Sequence, residues 1–496
     1  MRKTIFLLLL LAAGCCTLPA QDGKIRRVLA PAERNGFTSL TSYDSLKGFL
    51  GLLAGCPGME VSTIASTRSG RSVFLVRYHQ RAPSSNKAPL RVLLFAQQHG
   101  DEPAGKEALT MLLAKCASGS AAMALPGIDL RVIPQMNPDG GERRQRRTAD
   151  SLDLNRSHLL LNSPETAALH ELFYSWRPQV TMDIHEYAAL SESWSKKGFI
   201  KRADVQLGML TNLNSSETLR FYEQTLVFPF IASRMQTGGY VFQEYIVGSP
   251  EDRIRHSTTE INDGRQSFGI LNTLSFIQEG RNGKTPEENL ERRARSQLAS
   301  IEALLAFCQE HAQQIADMVA AERARLPGML GHAFALRMEH VHGNGVLRIP
   351  VTLVPSGHDT IQTVGPYHDV VRAVAETTVP SGYYIPAAQR AVIALLQRHH
   401  VGLETVQAER EMGVERYWID SVGTDVLEED TLPRPFVHTT RETLTVHPGD
   451  VVLSTAQWHS MFLPSMLEPE SIWGLLKYAA FAELLKEKKY PICRIP

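Results

Sequence analysis

The sequence predicts an α/β protein: a mostly parallel, mixed sheet flanked by helices, followed by a smaller mixed or β-rich C-terminal domain. Three observations carry this prediction. The run Leu90–Ala96 is almost purely apolar, as expected of a strand covered on both faces. Further apolar runs at 130–133, 180–184 and 273–278 alternate with helical stretches, and that alternation argues for a sheet that is at least partly parallel. Beyond Pro327 the pattern changes to short strand-like runs joined by Pro- and Gly-containing turns.

Taken in order, the chain opens with Arg2 and Lys3 ahead of an apolar run over 5–13, then small and turn-forming residues up to Gln21. A basic start followed by a run of that length is an export signal, too short to span a bilayer as a mature helix. Two processing routes compete. Leu18-Pro19-Ala20 reads as an ordinary cleavage site, and Ala12-Ala13-Gly14-Cys15 is similar to a lipoprotein box, although Leu is usual where Ala12 stands. Residues 1–20 are therefore assigned to the signal, and the mature protein to the periplasm or the medium, with a lipid anchor as the alternative. No later run is apolar for long enough to cross a membrane.

The segment 21–327 holds the first domain. After Leu90–Ala96 the stretch 106–116 reads as a helix, 163–174 as another with Pro164 inside its start, and 296–326 as one long helix. In the second domain, 328–496, strands are expected at 345–353, Val370–Thr378, 443–446 and 451–453, with helices at 386–398 and 470–488. Turns such as Pro355-Ser356-Gly357 and Pro448-Gly449-Asp450 join them. The chain has 496 residues, 43% apolar and 21% charged, with Lys plus Arg equal to Asp plus Glu at 52 each. That balance gives no footprint for nucleic acid or for an anionic membrane. Ordinary cleavage leaves Cys56, Cys116, Cys308 and Cys493, which allow three disulfide pairings; Cys116 and Cys308 sit in helical apolar patterns and read as buried thiols.

The chemistry lies just after the strand candidates. His99-Gly100-Asp101-Glu102 follows the first strong run, and a His and a carboxylate three apart on a turn can face one metal ion. A chain with 17 histidines should show H-x-x-E about once by chance, and this is its single occurrence. The overlapping segment 100–106 fits a phosphate-loop pattern, but Glu107 stands where a Ser or Thr must hold magnesium, and Asp101 and Glu102 would repel phosphate. Asn137-Pro138-Asp139-Gly140 comes next, then Asp153-Leu154-Asn155-Arg156, with Arg143, Arg144, Arg146 and Arg147 between them. Such a basic run is usually a solvated loop; here its guanidinium groups are candidates to meet an anionic substrate group. Asp183 and His185 are two apart on a strand and so share a face. Glu279 closes the run 274–278. If the strands are parallel neighbours, all four pieces meet in the crevice beyond their carboxyl ends.

In this order the pieces resemble the zinc carboxypeptidase family, of which carboxypeptidase A is the best-known member. The resemblance extends over roughly 90–285, with Arg146, eight intervening residues and then Asn155-Arg156, and Asp153 two before the Asn, as its most specific element. It implies one zinc ion per chain held by His99, Glu102 and His185, with a fourth position left for water. Asp153 would hydrogen-bond His99 and fix its tautomer. Glu279 would take a proton from the attacking water and pass it to the leaving amine. Arg146, with Arg147 as fallback, would stabilise the tetrahedral oxyanion alongside the metal, and Asn155 and Arg156 would bind a substrate carboxylate.

There are departures. The family's substrate-capping Tyr has no counterpart in Ser257-Thr258-Thr259-Glu260, with Tyr240 and Tyr187 as substitutes, and Arg265 is a candidate substrate contact in the region that sets specificity. Ser157 and His158 replace the family's usual Asn and aromatic. The expected activity is a metallocarboxypeptidase acting on peptides or peptidoglycan fragments with a free carboxylate. Deacylation of N-acyl amino acids, or amidase action on peptidoglycan peptides, is the enzymatic alternative, and a catalytically dead binding protein the non-enzymatic one. No G-x-S-x-G or dinucleotide fingerprint supports a serine hydrolase or a dehydrogenase.

Overall fold

The computed structural model describes residues 28–80, 88–119, 124–251, 253–427 and 430–496. The export segment expected at 1–20 lies outside them. The centre is an eight-stranded sheet whose strands, in chain order, are β1 (Met59–Ser66), β2 (Ser72–His79), β3 (Leu90–Ala96), β4 (Ile128–Ile133), β5 (Val180–Tyr187), β6 (Val205–Gly208), β7 (Phe242–Glu244) and β8 (Leu274–Arg281). Their spatial order is β1-β2-β4-β3-β5-β8-β6-β7. The four adjacent strands β4, β3, β5 and β8 run parallel to one another. The pairs β1-β2, β2-β4 and β8-β6 are antiparallel.

The apolar run that predicted β3 is buried on both faces. Val92, Leu94 and Ala96 enter one core, and Leu93 and Phe95 enter the other. Three helices of the first core layer matter for the site. α1 (Tyr43–Leu53) is capped by Ser42, whose side chain accepts from the Ser45 amide. α2 (Ala104–Ala117) is buried along nearly its whole length, and α4 (Leu290–Glu310) packs against it. α3 (Pro164–Trp176) covers the other face, with Ser163 as N-cap and Pro164 in its first turn.

The long helix expected at 296–326 is two helices, α4 and α5 (Ala312–Arg325), broken at His311 with φ −115° and ψ 17°. Glu279 lies inside β8 rather than at its end, because the strand continues through Gly280 and Arg281.

Beyond α5 the chain forms antiparallel pairs and a six-stranded sheet dominated by the hairpin Arg410–Leu427 and Asp430–Val446. The helix expected at 386–398 begins at Arg390. The helix expected at 470–488 is absent; the segment forms short 3-10 turns at Leu475–Lys477 and Ala479–Leu485. Residues 473–477 are buried without interruption, which leaves no solvent face for an amphipathic surface helix. Two features tie this region to the first half of the chain. Phe199–Lys201 pairs with Leu347–Leu353, and one continuous apolar core joins Phe95, Phe173 and Phe268 to Tyr383, Phe462 and Leu484. The four described cysteines are unpaired, with Cys116 and Cys308 buried.

Candidate metal centre

Because β4, β3, β5 and β8 are consecutive and parallel, the segments that leave or end them meet on one edge of the sheet. After β3 the backbone turns through Gln97, at φ 56°. Gly100 then comes so close to the Asn137–Gly140 turn that a Cβ at Gly100 would stand 2.1 Å from the Gly140 carbonyl carbon. Asn137 fastens the two loops together. Its Oδ1 accepts from the Gly140 amide at 2.8 Å, and its Nδ2 donates to the Gln98 and Arg146 carbonyls at 3.2 Å each. Asp139 anchors the same turn by accepting from Arg71 at 2.7 Å.

Held this way, His99, Glu102 and His185 converge. Glu102 Oε1 lies 2.8 Å from His99 Nδ1, Glu102 Oε2 lies 2.9 Å from His185 Nδ1, and the two Nδ1 atoms are 3.1 Å apart. Each imidazole is backed by a carboxylate on its far side. His99 Nε2 is 3.1 Å from Asp153 Oδ1, and His185 Nε2 is 2.9 Å from Asp183 Oδ1. A carboxylate there favours the proton on Nε2, so two Nδ1 lone pairs face each other beside a carboxylate in a buried setting. Only a cation or a shared proton relieves that arrangement. A tetrahedral zinc with bonds of about 2.0–2.2 Å holds its donors about 3.3–3.5 Å apart, so this donor set fits one with a small expansion. The paired histidines hold the Glu102 carboxyl well below the usual range against the cost of its burial.

The neighbouring residues fill in the surroundings. Asp153 bridges His99 and Arg146, whose Nε donates to its Oδ2 at 2.9 Å, while Arg146 Nη1 stands 3.1 Å from His99 Nδ1. Arg147 also lines the cavity, and its Nη1 donates to the Ser151 carbonyl. Asn155 Oδ1 accepts from Gln98 and from the Gly264 amide, leaving its Nδ2 for the cavity. Arg156 Nη1 donates to the Asn155 carbonyl, and its side chain also lines the cavity. Glu279 sits opposite His185 in the β5–β8 register and is 7% exposed; burial pushes its carboxyl up to about 7, with Glu102 adding to the rise and His185 opposing it. The cavity holds about 800 Å³, enough for a short peptide, and all eight expected site residues except His185 line it. His185 is buried beneath it.

Several expectations are corrected. Arg265 does not reach the cavity. It is fully buried and donates to the Met209 carbonyl, Ser257, Thr258 and Asp263. Tyr240 lies under Arg292, away from the site, and the Tyr187 hydroxyl is taken by the Ala203 carbonyl. Tyr187 lines the cavity all the same, and so does Tyr245, which sequence reasoning missed and whose hydroxyl feels the Glu279 charge. Lys201 was missed as well, and so was the role of Asp183. Only Asp183 carried a signal, its two-residue offset from His185 along a strand. Leu427, Leu432, Trp473, Lys477 and Tyr478 add a wall from the C-terminal region.

Residues 50–223 match the family described as zinc carboxypeptidase. Carboxypeptidase 2 of Trichophyton rubrum is 30% identical over 283 residues, covering 55% of this chain and 52% of its own. Probable carboxypeptidase 2 of Arthroderma benhamiae is 31% identical over 229 residues, covering 45% of this chain and 43% of its own. The chain thus spans about half the length of the curated relatives it matches. Among solved structures, a metallo-carboxypeptidase from Burkholderia cenocepacia superposes with a TM-score of 0.43 at 18% identity, covering 55% of this chain and 71% of that one.

Proposed function

We propose, from the match of residues 50–223 to the family described as zinc carboxypeptidase, that the chain is a zinc-dependent peptidase that hydrolyses the peptide bond next to a free C-terminal carboxylate. The observation that carries this reading is the convergence of His99 Nδ1, Glu102 and His185 Nδ1, each imidazole backed by its own carboxylate, at the floor of a peptide-sized cavity.

Zinc supplies Lewis acidity there, acidifying water and polarising the scissile carbonyl. The protein's own residues do the rest. Glu279 accepts the proton of the attacking water and returns it to the leaving amine nitrogen. A carboxyl displaced upward from the usual range and opening on the cavity suits both halves of that transfer. Arg146, held by Asp153, sits against the donor cluster and offers its guanidinium to the developing oxyanion. The Asn155 amide and the Arg156 fork bind the terminal carboxylate of the substrate. Asp153 hydrogen-bonds His99, and the Asp183 charge beside His185 Nε2 favours the proton there, which leaves both Nδ1 atoms for the metal. The basic and then apolar N-terminal segment supports export to the periplasm or the medium. Among the described residues no helix is long and apolar enough to cross a membrane.

The purified protein should bind close to one zinc per chain, lose peptidase activity on chelation and regain it on adding zinc. His185→Ala should abolish tight binding, since two remaining donors do not close a site. Full zinc occupancy in His185→Ala would remove that residue from the ligand set.

A further inference from the structure

Lys201 stands out among the residues lining the cavity. It ends the short strand Phe199–Lys201, which the C-terminal region holds in place by pairing Lys201 with Val351. The side chain is 9% exposed, and its ammonium lies over the ring faces of Tyr187, at 4.7 Å from the centroid, and Trp194, at 5.5 Å. Among the described residues it makes no hydrogen bond and no ion pair, whereas the other buried lysines, Lys106 and Lys477, each reach a carboxylate. Ring faces attract a cation but do not replace its lost hydration. Burial accordingly lowers its pKa to about 8, and the Glu279 carboxylate is the charge that opposes that loss. At neutral pH a largely charged ammonium therefore faces the cavity with donors to spare.

We propose that Lys201 is an anion anchor for the substrate side chain, so that the enzyme selects peptides carrying an acidic residue on one side of the scissile bond. This role rests on the peptidase reading above and deepens it. The terminal carboxylate is served by Asn155 and Arg156, so the partner that suits Lys201 is a second carboxylate. An acidic side chain supplies one, and its neutral amide counterpart, of the same shape, does not. Tyr187 and Trp194 hold the ammonium in place before the substrate arrives, which keeps the ordering cost of binding small. The anchor also gives the C-terminal region a part in specificity, because Val351 and its strand position the residue.

The test compares blocked dipeptides that differ only by Glu against Gln, placed first at the released position and then at the preceding one. In the wild-type protein one of the two positions should favour Glu over Gln in kcat/KM by about ten- to a hundredfold, as expected for a charge-assisted hydrogen bond. Lys201→Met and Lys201→Gln should both bring that ratio close to one. Calorimetric binding of N-acetylglutamate against N-acetylglutamine adds a readout that needs no turnover: the acid should bind more tightly, and both variants should lose the difference. Cleavage with a Glu-to-Gln ratio near one at both positions, or a ratio that survives both substitutions, overturns the anchor and leaves the peptidase reading intact. Absence of cleavage together with Lys201-dependent binding of the acid leaves the anchor standing and removes the peptidase reading.

Discussion

Glu279 shows how little a residue's local sequence says about its task. It lies among buried strand residues, and a carboxylate there is costly unless something holds it. Here it faces a cavity across from His185, where burial raises its proton affinity. Glu279→Gln keeps the shape and removes the proton acceptor, so turnover should fall by about 10²–10⁴-fold while zinc content stays the same. Near-normal turnover would pass the role to another base. Glu260, which lines the cavity, is then the candidate, since Glu186 is already taken by Arg293 and the Ala104 amide.

At the scale of elements, the site depends on two loops pinned together by Gly100 and Asn137. Gly100→Ala forces its new methyl against the Gly140 backbone, which has no flexible end to give way. The substitution should cost about 1–3 kcal/mol of stability and weaken zinc binding by moving His99 and Glu102. An unchanged melting temperature and zinc affinity would show that the close approach is dispensable. The same elements explain what could be read in advance. β3, β5 and β8 are buried on both faces, so their apolar runs were legible, and so were the candidate metal-binding residues placed beside or beyond them. β1 buries only Met59, β2 alternates buried and half-exposed residues with a break at Leu75-Val76, and β6 and β7 are only four and three residues long, too short to carry a period. The hairpin strand Arg410–Leu427 buries only four of its 18 residues, so of the pair only 443–446 was visible. Lys201 and Tyr245 come from such short or irregular pieces. Tertiary contacts alone bring them to the cavity.

For the whole molecule, the seam between the central sheet and the C-terminal region is lined by buried histidines. His399 accepts from the Tyr174 hydroxyl and donates to the Leu159 carbonyl, both at 2.7 Å, and the rings of Tyr174 and His459 lie 5.6 Å apart. Burial lowers His399 to about 3 and His459 to about 4, and holds His170 below its usual value. Their pKa in the unfolded chain is near ~6.5. Between that value and the folded ones the unfolded state binds protons that the folded state refuses, so stability falls as the pH drops. The loss should begin near pH 6.5 and amount to about 1.4 kcal/mol per pH unit for each such histidine, while the buried carboxyls of Glu279, Glu186 and Glu223, raised to about 7, 7 and 8, take up protons in the folded state and oppose it. Melting temperatures recorded from pH 7 to 5 should fall less steeply in a His399→Gln variant than in the wild-type protein, and equal slopes would mean that the seam opens to water in the folded protein.

Whether the protein is a carboxypeptidase is decided by how it treats the end of a peptide. If Asn155 and Arg156 grip the terminal carboxylate, the zinc-loaded protein should cut a free-acid peptide about ten- to a hundredfold faster than its C-terminally amidated twin. A guanidinium facing a neutral amide loses a charge-assisted pair worth about 1.5–3 kcal/mol. Arg156→Ala should erase most of that preference with zinc still bound. Equal cleavage of the two peptides by the wild-type protein would contradict carboxypeptidase action and leave a zinc hydrolase of another positional specificity.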